Sequence, residues 1–387
     1  MATENNNKTL NVPNLRFPEF SEVWTKTTLG KIGETFNGLT GKSGSDFGQG
    51  SPYITYKSIF DNSKIDLSRV EYVTITDAER KKQTQNEVQY GDIFFTTSSE
   101  TPDEVGMTSV LLDEVKDCYL NSFCFGYRLN SITDALPEYM RFYLRSNTIR
   151  RRLFVLAQGS TRFNISKGEV MGLTIKIPGT AEQRKIAQLL TMIEDRIATQ
   201  IKIIEKFESL IKGLCQKLTQ QDNPNTALNE ALVCYSSTLQ ESSVQEAGDY
   251  PVYGATGVCG YTDAPEVDGD SILIIKDGAS VGVTSYASGK YSAIGTLNRL
   301  VAKRGYSLRY LYYCLKVFNF APYRTGLAIP HIYFRDYGKA KVWCPPIEEQ
   351  KRITDSLLSV DREIAIEKSL LEQLYSQKRF LLQAMFI

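Results

Sequence analysis

The sequence of this 387-residue chain repeats itself once, and the duplication restricts the folds open to it. Residues 177–186 and 344–353 share the motif Pro-x-x-x-Glu-Gln followed by two basic residues and an isoleucine, at an offset of 167 residues. Three more pairs fit this offset: Gly159 with Gly326, Asn164 with His331, and Ile165 with Ile332. Upstream, 91–95 resembles 269–273 and 139–144 resembles 310–315, in the same order. A single ordered repeat of this length predicts two similar domains.

A long helix is predicted after each Pro-x-x-x-Glu-Gln motif. Apolar residues recur there at alternating steps of four and three residues, which is the heptad seam of a coiled coil. Ordinary core packing explains a repeat sustained over this length less well than a coiled coil does. The first seam is Ile186, Leu190, Ile193, Ile197, Gln200, Ile204, Phe207, Ile211, Leu214 and Leu218. The second is Ile353, Leu357, Val360, Ile364, Glu367, Leu371, Leu374, Lys378, Leu381 and Met385. Each helix should span about 38 residues, or roughly 57 Å.

The remainder of each half predicts a mixed α+β domain. Short apolar runs between Gly- and Asp-rich turns favour strands at 92–95, 108–112, 271–275 and 300–302. Short helices are expected at 139–144 and 308–316, and the polar segment 220–226 suits a linker. The predicted domains are a first globular domain over 1–179, a helix over 180–220, a second globular domain over 221–345 and a helix over 346–387.

Two basic stretches occupy equivalent places in a chain whose net charge is only +1. Residues 141–176 hold eight Lys and Arg against one acid, Glu169, and 299–341 hold nine against Asp336. Such clustering favours phosphate binding over a merely solvated basic face, because it recurs in both halves.

The residue inventory disfavours most hydrolytic and metal-dependent enzymes. His331 is the single histidine, so any Ser-His-Asp or Cys-His mechanism would have to use it. The seven cysteines include no Cys-x-x-Cys pair, which argues against a disulfide framework and a structural zinc site. We expect small buried thiols.

No secretory signal is expected at the N-terminus. Residues 1–8 contain no apolar stretch of the kind that secretory signals carry, and we expect a short disordered leader. No segment is apolar over the roughly 18 residues that a membrane span requires. The expectation is a cytoplasmic protein with no membrane partner.

The order globule, helix, globule, helix has a geometric consequence. If the two helices pair, antiparallel pairing is expected, with the globules at opposite ends of a rod and related by a pseudo-two-fold axis. A two-fold protein that reads DNA contacts two half-sites, and globules of different sequence should read different ones. The predicted target is asymmetric and bipartite, with a spacer that is not contacted.

Over essentially its whole length the chain resembles the specificity subunit of Type I restriction-modification enzymes. The resemblance rests on the duplicated Pro-x-x-x-Glu-Gln motifs, the Gly91-Asp92 and Gly269-Asp270 strands, the run 250–257, and the opening 15–20 with Trp24. It implies two target-recognition domains of α+β class, separated by two long antiparallel coiled-coil helices.

The same resemblance implies a non-catalytic subunit of a larger methyltransferase and restriction enzyme. Its partners would be double-stranded DNA, two methyltransferase subunits and two ATP-dependent restriction subunits. S-adenosylmethionine, ATP and magnesium would belong to those partners, and this chain would bind no cofactor or metal. The sequence has neither a Gly-x-x-x-x-Gly-Lys-Ser/Thr phosphate loop nor an Asn-Pro-Pro-aromatic element.

Candidate DNA contacts are drawn from side chains that suit bases or phosphates, in loops after strands or in the basic stretch before each helix. In the first domain they are Lys57, Ser58, Thr96, Thr97, Ser98, Ser99, Arg162 and Asn164. In the second they are Lys276, Ser280, Arg324, His331, Tyr333 and Arg335. Any single one of them can also be an ordinary surface residue.

Two other functions fit parts of the sequence. Pro102-Asp103 followed by Glu114-Val115-Lys116, with the latter on a strand, matches the loose Pro-Asp…Glu-x-Lys pattern of magnesium-dependent nucleases. That pattern is short and has no counterpart in the second half. A pure assembly protein would use the heptads to bind partner helices, but it would have no need of paired basic stretches.

Overall fold

The computed structural model of the chain describes residues 12–326 and 328–387, so the leader expected at 1–8 lies outside the described residues. The described residues form two compact units. Unit 1 contains the residues up to Ala198 together with Glu372–Ile387, and unit 2 is Thr199–Leu371. Each unit therefore includes a part of both long helices.

From residue 12 onwards, unit 1 begins with eleven strands and six short helices. The strands are β1 Thr25–Thr28, β2 Gly33–Asn37, β3 Phe47–Ile54, β4 Glu71–Val73, β5 Ile93–Thr96, β6 Ser98–Ser99, β7 Thr108–Val110, β8 Tyr119–Leu120, β9 Cys124–Leu129, β10 Phe163–Asn164 and β11 Thr174–Ile177. The helices are α1 Leu29–Ile32, α2 Tyr56–Asp61, α3 Asp77–Gln83, α4 Pro137–Tyr143, α5 Asn147–Leu156 and α6 Lys167–Met171.

Unit 2 follows the long helix α7, Thr180–Thr219, and ends in a second one. Its strands are β12 Thr226–Ala227, β13 Leu232–Ser236, β14 Tyr250–Gly254, β15 Gly257–Thr262, β16 Val267–Asp268, β17 Ser271–Ile275, β18 Thr284–Ala287, β19 Lys290–Ala293, β20 Leu297–Ala302 and β21 Lys341–Val342. Its helices are α8 Leu228–Ala231, α9 Leu308–Lys316, α10 Phe334–Tyr337 and the long α11, Ile347–Ala384, which continues into unit 1.

The strand topology of unit 1 recurs in unit 2. The antiparallel sheet β2-β9-β5-β7 matches β13-β20-β17-β18, and the pair β1-β11 before α7 matches β12-β21 before α11. A parallel pair with an antiparallel, bulged neighbour also recurs, as β8-β3-β4 and as β19-β14-β15. This equivalence confirms the duplication and the α+β class predicted from the sequence.

Most positions of the two heptad seams are buried, as predicted. Ile186, Leu190 and Ile193 are at most 5% exposed in unit 1, and Ile353 and Leu357 at most 3% in unit 2. The helices run antiparallel in both units. In unit 1 Lys378 pairs with Glu194 at 2.6 Å, and in unit 2 Lys368 pairs with Glu208 at 2.6 Å.

The polar break in the seams has a partner of its own. Gln200, 6% exposed, donates its side-chain amide to the carboxylate and the backbone carbonyl of Glu367. A hydrogen-bonded polar pair inside an apolar seam fixes the register of two helices, because any slip would bury both groups unpaired. Lys378, the residue that departs from the second seam, forms an ion pair with Glu194.

The duplicated Glu-Gln motif attaches each globular part to its helix. The amide of Gln183 donates to Pro178 O at 2.8 Å and accepts from Leu136 N at 2.8 Å. The amide of Gln350 repeats this with Pro345 O at 2.8 Å and Ser307 N at 2.9 Å. Both glutamines are at most 2% exposed. A buried amide that satisfies backbone groups on two segments explains why the motif occurs twice.

Most of the predicted short elements exist, with shifted ends. The strand 271–275 and the helix 308–316 have the predicted bounds, whereas the helix expected at 139–144 is Pro137–Tyr143 and the strand expected at 108–112 stops at Val110. The proposed linker 220–226 is partly ordered into unit 2, where the Asn225 side chain exchanges hydrogen bonds with the backbone of Cys344. The strand expected at Glu114 is wrong, since 111–118 is a loop.

The described residues contain no helix both long and apolar enough to cross a membrane.

Candidate DNA interface

A small exposed hairpin occurs at the same place in both units. In unit 1 Gln158 and Asn164 exchange backbone hydrogen bonds of 2.9 and 2.8 Å. In unit 2 Thr325 and His331 exchange bonds of 2.9 and 2.7 Å. These four residues are related by the repeat offset found in the sequence. The duplication therefore extends to the backbone pairing of this loop.

One glycine shapes each hairpin. Gly159 has φ +132° and Gly326 has φ +88°, a region that other residues seldom adopt. A Cβ at Gly159 would lie 2.1 Å from Arg162 O, and one at Gly326 would lie 2.3 Å from Ile329 O. Both the left-handed backbone and the close approach require glycine, which explains why the repeat keeps it.

Each hairpin is fixed to the segment that follows a central strand. Ile165 N donates to Thr97 O at 3.0 Å beyond β5, and Ile332 N donates to Lys276 O at 2.9 Å beyond β17. The adjacent residues are paired as well. Asn164 pairs with Ser98 in unit 1, and His331 forms a β-bridge with Asp277 in unit 2. The site in each unit is thus a hairpin held against the end of its sheet.

The structure brings several first-domain candidates together. Ser98, Ser99 and Arg162 line a cavity of about 260 Å³ whose other walls are Tyr56, Phe60, Glu100 and Glu104. Tyr56 Oη donates to Ser98 O at 2.7 Å, which joins α2 to β6. Lys57, exposed, and Ser58, half-buried, lie on α2, so their expected position in a loop is wrong.

Four neighbouring candidates have structural partners already. Thr96 is fully buried and its hydroxyl accepts from Met107 N at 2.9 Å. Thr97 donates to Phe123 O at 2.7 Å, and Ser98 and Ser99 are at most 7% exposed. The hydroxyls of Thr96 and Thr97 bind neighbouring backbone groups, and the burial of Thr96 leaves it no surface for a ligand. Arg162 and Asn164, by contrast, are exposed.

The second-domain candidates also meet at one place. Lys276, which is half-buried, and Ser280, which is exposed, lie in the loop after β17. Arg324, just before the hairpin, donates a hydrogen bond to Val281 O in the same loop at 3.1 Å. His331 lies beside Asp277. Tyr333 and Arg335 are exposed and stacked, with the guanidinium carbon 4.9 Å from the ring centre.

Comparison with known proteins identifies the family. The family model for the Type I restriction modification DNA specificity domain matches residues 21–209 and 235–376, most of the chain and in two copies. The chain belongs to this family. Both copies of the specificity domain include the hairpin and the segment to which it is fixed.

Similar proteins cover nearly the whole chain. A Methanocaldococcus jannaschii protein that bears the name type I restriction enzyme MjaX specificity subunit is 24% identical over 93% of this chain and 92% of its own length. A Haemophilus influenzae protein named as specificity subunit S.HindORF215P is 27% identical over 32% of this chain and 34% of its own length.

Solved structures share the fold. The S subunit of a Type I restriction-modification system from M. genitalium has a TM-score of 0.60 at 18% identity, covering 97% of this chain and 99% of its own. A chain from a structure titled for complex assembly and conformational transition of the type I R-M system has a TM-score of 0.57 at 17% identity, covering 93% and 96%.

The basic stretches of the two specificity domains are only partly available to DNA. The guanidinium of Arg145 donates to four carbonyl groups, including Ile59 O at 2.7 Å, and burial lowers its pKa to about 10. Arg150 donates to three carbonyls, and Arg141 binds Ser63 and Glu194. Reading all of 141–176 as a phosphate surface is therefore wrong.

The second stretch divides in the same way. Lys316 pairs with Asp361 at 3.1 Å, and the guanidinium carbon of Arg309 lies 3.3 Å from the ring centre of Tyr286. The side chains that remain exposed across both stretches are Arg151, Arg162, Lys303, Arg304, Arg324, Arg335, Lys339 and Lys341. These are the cations of the two basic stretches that face solvent.

Sequence reasoning missed the acids and aromatics of these sites. Glu104 accepts from Ser99 Oγ at 3.0 Å, and Asp277 accepts from His331. Tyr56 and Phe60 stack at 5.9 Å on α2, and their spacing of four residues is a signal that the sequence did contain. Among residues 12–326 and 328–387 no group of three or more His, Cys, Asp or Glu is placed to hold a metal ion.

Proposed function

We propose that this chain is the DNA-reading specificity subunit of a Type I restriction-modification complex, and that each unit reads one half of an asymmetric, bipartite target. Family membership supports DNA specificity. The observation that carries the bipartite target is the repeated hairpin, which keeps its backbone in both units while its side chains differ. Asn164 in one copy corresponds to His331 in the other. Equivalent positions with different hydrogen-bonding groups suit two different half-sites.

The exposed cations support a division of labour within each site. Arg162 lies within the first hairpin and Arg324 directly precedes the second, and neither has an ion-pair partner among the described residues. Cations of this kind bind phosphates and set the position of the protein on the duplex, whereas residues at the base edges supply specificity. The remaining candidate contacts stay predictions at this level of detail.

Catalysis, in this proposal, belongs to partner subunits. The chain would select the site, and methyltransferase subunits with S-adenosylmethionine, and restriction subunits with ATP and magnesium, would act there. We propose two copies of each partner and a cytoplasmic location. The name of a structural neighbour refers to assembly of the type I R-M system, which supports a multisubunit setting.

The long helices offer a surface for these partners. In unit 1 the exposed apolar side chains on the helices are Met192, Tyr375 and Phe380, and in unit 2 they are Leu210, Ile366 and Leu370, each at least 40% exposed. Large apolar groups on a helix surface are typical of protein contacts. Their presence supports docking of methyltransferase subunits along the paired helices.

The test is methylome sequencing of cells with and without the gene, with the methyltransferase partner present. Loss of methyladenine at one asymmetric two-part motif is the expected result, and it would supply the target. An unchanged methylome in cells with an active partner would contradict the proposal. Metal-dependent cleavage of DNA by the purified chain, abolished by Glu114→Ala, would favour a nuclease instead.

A further inference from the structure

The single histidine of the chain is part of a defined side-chain pair in unit 2. His331 Nδ1 lies 2.7 Å from Asp277 Oδ1, and about a third of each side chain is exposed. The two residues are also joined through their backbones by an isolated β-bridge. The backbone bridge therefore holds the two side chains close to each other.

This contact decides which nitrogen of the ring carries the proton. An ionised carboxylate can only accept a hydrogen bond, so Nδ1 must be the donor. In the neutral ring the proton on Nδ1 leaves Nε2 as a hydrogen-bond acceptor. No hydrogen bond from the described part of the chain reaches Nε2.

The surroundings hold the ring in place. The Cδ2 atom of His331, which is bonded to Nε2, lies 3.0 Å from the position that a Cβ would take at Gly326. The hairpin glycine thus makes room for this edge of the ring. The charged groups nearby in the chain are Lys276 before Asp277, Arg324 before the hairpin, and Arg335 and Asp336 after it.

We propose that Asp277 is a positioning residue that fixes the tautomer of His331, and that His331 Nε2 reads the exocyclic amino group of a base in the second half-site. This inference rests on the proposed function. The bases that present an amino donor in the major groove are adenine, through N6, and cytosine, through N4. Guanine and thymine present acceptors at the corresponding edge and would face Nε2 unfavourably.

The first unit provides an internal comparison. Ser98 and Asn164 occupy the places of Asp277 and His331, and Ser98 is only 6% exposed. An asparagine amide has both a donor and an acceptor, so this pair can bind either a donor or an acceptor on a base. The acceptor preference is therefore confined to the second half-site.

The experiment uses the chain purified as a complex with its methyltransferase partner. Binding is measured against duplexes that carry the methylome-derived target, with every base tested at each position of the second half-site. We expect one position at which adenine or cytosine is preferred over guanine and thymine by about tenfold or more. The wild-type motif itself shows which of the two amino bases is read.

Two variants then test the residues. Asp277→Asn can donate as well as accept, which permits either tautomer of His331, so the preference at that position should fall below about threefold. His331→Ala should remove it. Asn164→Ala is the matched control and should alter preferences only in the first half-site.

The outcomes separate the two levels of the argument. A wild-type complex with no two-part motif would overturn the proposed function, and this inference with it. A wild-type complex with a clear motif, whose affinity His331→Ala or Asp277→Asn lowers equally for all bases, would overturn the inference alone. Such a uniform loss would assign His331 to phosphate contact or to support of the hairpin.

Discussion

Replacing Gln183 by alanine should destabilise unit 1 by more than the equivalent change at Gln350 destabilises unit 2. Its amide donates to Pro178 O at 2.8 Å and to Asp134 O at 2.9 Å, and it accepts from Leu136 N at 2.8 Å. The side chain is fully buried. Alanine would leave these three backbone groups without their partner in a place that water does not reach easily.

The magnitude follows from the number of bonds. At about 1 kcal/mol for each hydrogen bond, Gln183→Ala should cost about 3 kcal/mol, and Gln350→Ala, with two bonds, about 2 kcal/mol. Gln183→Glu should cost at least as much as alanine, because a carboxylate cannot donate to the two carbonyls. Gln188→Ala, an exposed position on the same helix, should change stability by less than about 0.5 kcal/mol.

The two tryptophans allow each unit to be followed separately. Trp24 is buried in unit 1 and Trp343 is half-buried in unit 2, so Trp343→Phe leaves a tryptophan in unit 1 alone. With a urea dependence of about 3 kcal/mol per molar, Gln183→Ala should lower the midpoint of the Trp24 transition by about 1 M. A shift no larger than that of Gln188→Ala would refute the role assigned to the buried amide.

Three further predictions concern other parts of the chain. Gly159→Ala should cost about 1–3 kcal/mol and weaken binding of the first half-site only, measured with duplexes altered in one half at a time. In the native protein at neutral pH, only the half-buried Cys234 and Cys259 should react with a thiol reagent, and the other five thiols only after denaturation, as counted by mass spectrometry. The Lys42 ammonium 2.7 Å away and the helix cap lower the pKa of Glu79 to about 2 from its ordinary 4.5. The stabilisation by Glu79 is therefore present above pH 4.5 and lost as the pH falls through about 2, which an NMR titration of its carboxyl group can follow.

The long helices could be predicted closely because their signal is local and repeated. A four-three spacing sustained over ten positions specifies both a helix and its buried face. The pairing of Gln200 with Glu367 could also be anticipated in part, since both are polar at equivalent seam positions. The spacing did not reveal that the glutamine of each Glu-Gln motif is buried and binds the globular part of its unit. The backbone N–H that each glutamine binds lies about 45 residues upstream.

The candidate site was harder to predict, for reasons that particular residues make clear. Arg145 and Arg162 look alike in sequence, yet Arg145 donates to four backbone carbonyls and Arg162 is exposed. Only tertiary contacts separate these two uses of a guanidinium. Thr96 likewise suits a phosphate contact until its burial is known. The equivalence of Asn164 and His331, in contrast, followed from the repeat, and the backbone pairing confirms it.

Segments far apart in the sequence contact each other inside unit 1. Leu15 N donates to Ala384 O at 3.0 Å, and the ring of Phe386 packs 5.7 Å from Tyr139 and 5.6 Å from Tyr143. The first specificity domain therefore cannot complete its packing until the segment 372–387 has been synthesised. A chain terminated before Ala384 would carry every strand described in both units and still lack these contacts of unit 1. The fold thereby makes synthesis of the second long helix a condition for a complete unit 1.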